Sequence, residues 1–230
     1  MNEFFQSSVF AGAVLSLSAY LLGSALKKRF RLAVFNPILI SIVLTVTVLL
    51  IGKVDYDAYY QSAKYLSWLL TPVTVCLAIP LYEQRALLKK HYKAVLCGLF
   101  AGAVTGMATV LVLSKLFHLS HAEYVTLLPK SITTAIGMAV SEELGGYVNI
   151  TVAVIVTTGV LGNLFAELLC RLFRLTEPIA KGLAIGASSH AIGTAKALEM
   201  GEIEGAMSGL AIAVSGIITV IFAPLFAMLL

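Results

Sequence analysis

The sequence predicts an all-α polytopic membrane protein, with about six spanning helices, two glycine-rich broken or re-entrant segments and an inverted repeat. Three observations predict it. Hydrophobic residues make up 59% of the 230-residue chain and charged residues only 12%, with mean hydropathy +0.95, whereas soluble domains are roughly 25% charged. Apolar runs near the roughly 20 residues that a bilayer-crossing helix needs recur along the chain. Lys and Arg gather in clusters beside those runs, so the net charge of +4 is a topology signal rather than an affinity for nucleic acid, and the first partner is the lipid bilayer.

The first run, Phe10 to Leu26, is followed rather than preceded by its basic cluster "KKRFR" (Lys27 to Arg31) and has no small-residue cleavage site, so it reads as a retained helix and not a signal peptide. Leu32 to Ile51 is the second span. "DYDAYY" (Asp55 to Tyr60) reads as an interfacial aromatic segment. Leu66 to Leu81, Ala94 to Leu113, Ile150 to Leu169 and Ala206 to Leu230 complete the expected spans, and the semi-polar stretches Pro129 to Gly146 and Lys181 to Gly201 lie between the last three. The chain is expected to be one integral membrane domain: N-terminal helices over 1–65, a divergent repeat-like unit over 66–119, and two units of re-entrant segment plus span over 127–175 and 181–230. Cys76, Cys97 and Cys170 sit far apart in apolar runs, without CxxC spacing, and read as packing thiols.

Internal similarity supports the repeat. "TAIGMAVSEE" (Thr134 to Glu143) parallels "HAIGTAKALE" (His190 to Glu199), 56 residues on, and "KLFHL" (Lys115 to Leu119) parallels "RLFRL" (Arg171 to Leu175) at the same spacing. Ala78-Ile79-Pro80 is a weaker counterpart 57 residues before Ala135. If every segment crossed the bilayer, the basic clusters would fall on opposite sides. If Pro129 to Gly146 and Lys181 to Gly201 dip in and return, the clusters in Lys27 to Arg31, Glu83 to Lys93 and Arg171 to Lys181 are all cytoplasmic. A unit of one re-entrant segment and one span crosses an odd number of times, so its tandem copy is inverted. Irregular backbone at membrane depth is tolerated where it is buried in protein or lines a cavity. Two opposed segments meeting near the midplane make a secondary-transporter binding site.

The polar residues of the two segments are the candidate site. Half-helices beginning near Ser131 to Thr134 and Ser188 to Thr194 would aim free N–H groups inward, an arrangement suited to a carboxylate. The substrate-binding candidates are Ser131, Thr133, Thr134, Asn163, Ser188, Ser189, His190, Gly193 and Thr194. Lys130 and Lys196 add charge, and Glu142 and Glu199 are candidates for carrying a coupled proton if burial raises their pKa values. Each has a plainer alternative: hydroxyls bonding a nearby carbonyl, Lys130 snorkelling to headgroups, and Glu142, Glu143, Glu199, Glu202 and Glu204 as solvated loop ends. Asn163 and Glu167 share a helix face and either line the pathway or join helices. No GxSxG or HExxH motif occurs, and four scattered histidines give no metal framework, so no enzyme, metal or cofactor is expected.

"LLPKSITTAIGMAVSEELGG", "IAKGLAIGASSHAIGTAKALEMGEIEGA", "FNPILISIVL" and "CLAIPLYEQR" together resemble the LrgB/CidB family over essentially the whole chain. The resemblance implies two functions. One is antiholin-like or holin-like modulation of murein hydrolase activity and cell lysis in a bacterial plasma membrane, with a small LrgA/CidA-type membrane partner. The other is transport of small monocarboxylates such as pyruvate or glycolate, since the family is similar to the C-terminal part of the plastid glycolate/glycerate translocator. Between them, two polar inverted segments favour selective carboxylate transport by alternating access, with the carboxylate contacting Thr133, Thr134, Ser189 and His190. A homo-oligomer, with a dimer as the assumed form, is the expected assembly.

Overall fold

The computed structural model describes residues 2–30, 35–69, 72, 75–76 and 78–230, and these form helices and turns with no strand among them. Arg31, the start of the expected second span and the middle of the expected 66–81 span lie outside the described residues. The chain divides into two compact units, Met1–Cys76 and Leu77–Leu230, the boundary falling inside the expected 66–119 segment.

In the first unit, α1 (Asn2–Ser7), α2 (Ala11–Phe30), α3 (Pro37–Ile51) and α4 (Tyr56–Trp68) pack through small residues. Lipid tails are as apolar as the helices, so close backbone approach and hydrogen bonds supply the association. A Cβ on Gly12 would meet Tyr59 O at 2.7 Å. The Gly12 N–H donates to Ser62 Oγ at 2.9 Å, and the Ser16 and Tyr59 hydroxyls lie 2.7 Å apart. Asn36 caps α3, accepting from the Ile38 and Leu39 N–H groups. At 15 residues α3 reaches only about 22 Å, short of a bilayer core of about 30 Å. On α4, Ala58, Ser62 and Ala63 are buried while Tyr56, Tyr60 and Trp68 are exposed, the face pattern of an interfacial helix.

The second unit comprises α5 (Ala78–Glu83), α6 (Arg85–Leu116), α7 (His121–Leu127), α8 (Thr134–Glu143), α9 (Val148–Leu172), α10 (Pro178–Met200) and α11 (Glu202–Ala227). Among the described residues, three segments are long and apolar enough to cross a membrane: Leu88–Leu116, Val148–Leu172 and Glu202–Ala227. These are the last three of the expected spans, and the chain is a multi-pass membrane protein.

Lys181 to Gly201 folds back on itself, whereas Pro129 to Gly146 supplies only the tip and outward arm of its hairpin, the inward arm being His121–Leu127, upstream of the expected start. Hairpin I is α7 and α8. Its arms meet where Thr151 Oγ1 lies 3.0 Å from Thr126 O and 2.7 Å from Ser141 Oγ, and again where Gly137 faces Pro129 O. Pro129, which lacks a donor, stops the inward arm, Thr133 is extended, and the outward arm starts at Thr134. The arm ends at Gly145, whose φ of 82° a side chain would resist. Hairpin II is α10, two helical arms joined through a break at one residue: His190 has φ 42° and ψ −139°. Gly186 and Thr194, eight residues apart, both rest on Ser208, the latter through hydroxyls 2.7 Å apart, while Gly182 packs on Glu204 and Leu198 on Gly205. Residues 178–189 and 191–200 are therefore antiparallel arms of about 15–18 Å, half a membrane deep.

The hairpins enter from opposite ends. Hairpin I shares a core with the C-terminal part of α11, through Tyr124, Val125, Ala223 and Ala227; hairpin II shares one with the end of α9, through Ala166, Cys170, Ile185 and Ala197. The repeat extends to detail at the 56-residue spacing. Gly137 faces Pro129 O as Gly193 faces Ile185 O. His118 and Arg174, at φ 53° and 52°, end α6 and α9 in the same left-handed cap, with Leu119 N–H donating to Ser114 O and Leu175 N–H to Cys170 O.

Candidate functional site

The two tips meet on the middle of α9. Gly137 of hairpin I packs on the Ile155 side chain, and His190 at the tip of hairpin II donates from Nε2 to Ile155 O at 3.0 Å. Because the partner is a carbonyl, Nε2 carries the proton. The ring rests on Gly159 and Ser189 on Gly162, positions where any Cβ would collide with them. The rest of the returning arm is fixed along the same face: Asn163 Nδ2 donates to Ile192 O at 2.6 Å, and Lys196 Nζ pairs with Glu167 Oε1 at 2.6 Å and with Glu199 Oε2 at 3.2 Å.

On the other side of the tips lies a cleft of about 720 Å³ between α6, hairpin II and the tip of hairpin I. Its walls are apolar, with Gly98, Gly102 and Gly106 forming a side-chain-free stripe on α6. His91 and Glu177 flank one end, at the base of hairpin II, and Lys130, Ser131 and Ser188 form the other. Lys130 Nζ donates to Ser131 Oγ at 3.1 Å, and Ser188 Oγ donates to Ala184 O at 2.7 Å. The His91 end is also the basic end of this unit: Lys89, Lys90 and Lys93 begin α6, and Arg171, Arg174 and Lys181 surround the base of hairpin II. Chemically, the cleft presents one cation and two hydroxyls at the end of an apolar passage, which suits a small monoanion.

The expected site residues thus divide. Lys130, Ser131 and Ser188 line the cleft. Ser189, His190 and Thr194 are buried and face α9 and α11, Thr194 Oγ1 lying 2.7 Å from Ser208 Oγ and donating to His190 O at 2.9 Å, while Gly193 is buried against Ser189 and Ile185 on the other arm of hairpin II. Thr133 and Thr134 are half-buried at the start of α8 and do not line the cleft. Asn163 joins helices. Lys196 is engaged by two carboxylates, and Glu142 and Glu199 are exposed near the bases of their hairpins, away from the tips. Glu204, grouped with the solvated loop ends, is instead buried beneath Gly182. Sequence reasoning missed the α6 wall; its signal was the glycine spacing of four in "GLFAGAVTG".

The family model described as the LrgB-like family matches residues 16–229. "Antiholin-like protein LrgB" of Bacillus subtilis (strain 168) is 36% identical over 224 residues, 97% of each chain. Proteins of the same description from Bacillus mycoides (strain KBAB4) and Bacillus cereus (strain B4264) are 36% identical over 216 residues, 94% of each chain. No solved structure matches.

Proposed function

The chain belongs to the LrgB-like family, and from that membership we propose that it is an antiholin-like membrane protein, restraining murein hydrolase activity and cell lysis together with a small LrgA/CidA-type partner. The observation that carries this reading is identity of 36% with a protein named antiholin-like over 97% of both chains, which takes in both hairpins and α9. The test is expression of the chain, alone and with an LrgA-type protein, in a bacterium whose autolysis and murein hydrolase activity are followed. Slower lysis is expected; unchanged lysis with the protein verified in the membrane would refute the reading.

A second reading, transport of a small monocarboxylate such as pyruvate or glycolate by alternating access, has its own support in the opposed hairpins and the cleft ending on Lys130, Ser131 and Ser188. The carboxylate sits against these three groups, a change from the pairing with Thr133, Thr134, Ser189 and His190 that the sequence suggests. Interrupted helices at midplane are how carriers expose polar backbone to a substrate, and a pore-forming role has no need of them. Liposomes containing only the purified protein should show saturable pyruvate and glycolate counterflow that Lys130→Ala abolishes. Leakage without discrimination among solutes would refute transport and leave the first reading standing.

A further inference from the structure

A second, much smaller cavity of about 20 Å³ adjoins the Lys130 end of the cleft, enclosed by α6, α11 and the tip of hairpin I. Ser131, Ala187, Gly102 and Gly106 line both spaces. Into the smaller one faces Ser215 of α11, 2% exposed, whose Oγ has no hydrogen-bond partner, and Thr219, 5% exposed, lines it as well. An unsatisfied buried hydroxyl costs about 1–3 kcal/mol, so its retention next to a candidate binding cleft points to an occupant. Room for a single water-sized group starts at about 10–15 Å³. The space therefore takes one oxygen and no carbon branch of any length.

We propose that this cavity is an oxygen subsite, in which Ser215 Oγ donates to an oxygen borne on carbon 2 of a monocarboxylate whose carboxylate is held by Lys130 and Ser131. The inference rests on the transport reading and adds to it the residue that sets specificity. The order of groups fits: carbon 2 is one bond from the carboxylate, Ser131 lines both spaces, and the apolar cleft receives the remaining carbons. A site built to hydrogen-bond such an oxygen discriminates against an analogue that lacks it, because the buried hydroxyl is then left unpaired.

The test compares pyruvate, lactate and propionate, which share a three-carbon skeleton and differ at carbon 2. Counterflow of each into liposomes is measured for the wild-type protein, Ser215→Ala and Ser114→Ala, together with the thermal shift each acid produces in the detergent-solubilised protein. Ser114 is the control: its Oγ is likewise buried without a partner, but it lines neither cavity. The wild type should prefer lactate and pyruvate to propionate in both readouts. Ser215→Ala should reduce that preference about tenfold, and Ser114→Ala should keep it. Saturable flux with an unchanged preference in Ser215→Ala would overturn the subsite and leave transport intact, assigning the cavity to a structural water. An equal loss in Ser114→Ala would also overturn it. Absence of saturable flux and of any acid-dependent thermal shift in folded wild-type protein would overturn subsite and transport together.

Discussion

His190 shows how a single residue ends one helix arm and starts another. Its φ of 42° with ψ of −139° is a region that glycine enters freely and other residues enter at a cost of about 1–3 kcal/mol. The imidazole offsets that cost by donating to Ile155 O and lying on Gly159. Replacement by Ala loses the ring and keeps the strain; replacement by Gly loses the ring and the strain. His190→Gly is therefore expected to be more stable than His190→Ala by about 1 kcal/mol, after about 0.5–1 kcal/mol for glycine's greater freedom in the unfolded chain. Thermal unfolding in detergent checks this, and equal stabilities would mean that the break is imposed from outside residue 190. The same logic applies at the caps. His118 and Arg174 hold left-handed φ without being glycine, so His118→Gly and Arg174→Gly should each raise the unfolding temperature by a few degrees, where retained or lowered stability would assign their side chains a compensating contact.

Helical elements here are packed by glycine, and the same residue type does opposite things on α9 and α6. A Cβ on Gly162 would collide with Ser189, whereas Gly98 and Gly106 have nothing within 4 Å of theirs. Gly162→Ala is expected to destabilise by about 1–3 kcal/mol through overpacking against hairpin II. Gly106→Ala is expected to be neutral or to stabilise by up to about 1 kcal/mol through helix propensity, while narrowing the cleft. Equal effects in unfolding measurements on the two variants would contradict the placement of hairpin II against α9. Part of this was legible in sequence: the 56-residue spacing located the outward arms of both hairpins, and half-helices are expected to begin near Ser131 to Thr134 and Ser188 to Thr194. The inward arm of hairpin I, His121–Leu127, lies before the expected start at Pro129, because its mixed polar sequence carries no apolar run. Side-chain direction was not legible. Ser188 and Ser189 are neighbours on one helical arm with hydroxyls 3.0 Å apart, yet one lines the cleft and the other seats on Gly162, because consecutive helical residues point about 100° apart and each finds a different neighbour. Nor could composition separate cleft-lining glycines from packing ones, since that depends on which helix comes to lie opposite.

For the second unit as a whole, charge and topology make one argument. α6 and α11 run from the basic end and α9 runs back toward it, so hairpin I opens at the far end and hairpin II at the basic end. Lys89, Lys90, Lys93, Arg171, Arg174 and Lys181 collect at one end, against Lys115 beside the base of hairpin I. The positive-inside rule then makes the basic end cytoplasmic and directs the His91 end of the cleft to the cytoplasm. The consequence is measurable in intact cells with Cys76, Cys97 and Cys170 replaced by Ser. A membrane-impermeant maleimide added outside should label Glu142→Cys, at the base of hairpin I, and should reach Lys89→Cys and Thr176→Cys only after the membrane is opened. Labelling of positions 142 and 176 from the same side would mean that both hairpins enter from one face. The 56-residue repeat would then be a direct repeat and not an inverted one, and the meeting of the two tips on Ile155, on which the candidate site depends, would have to be abandoned.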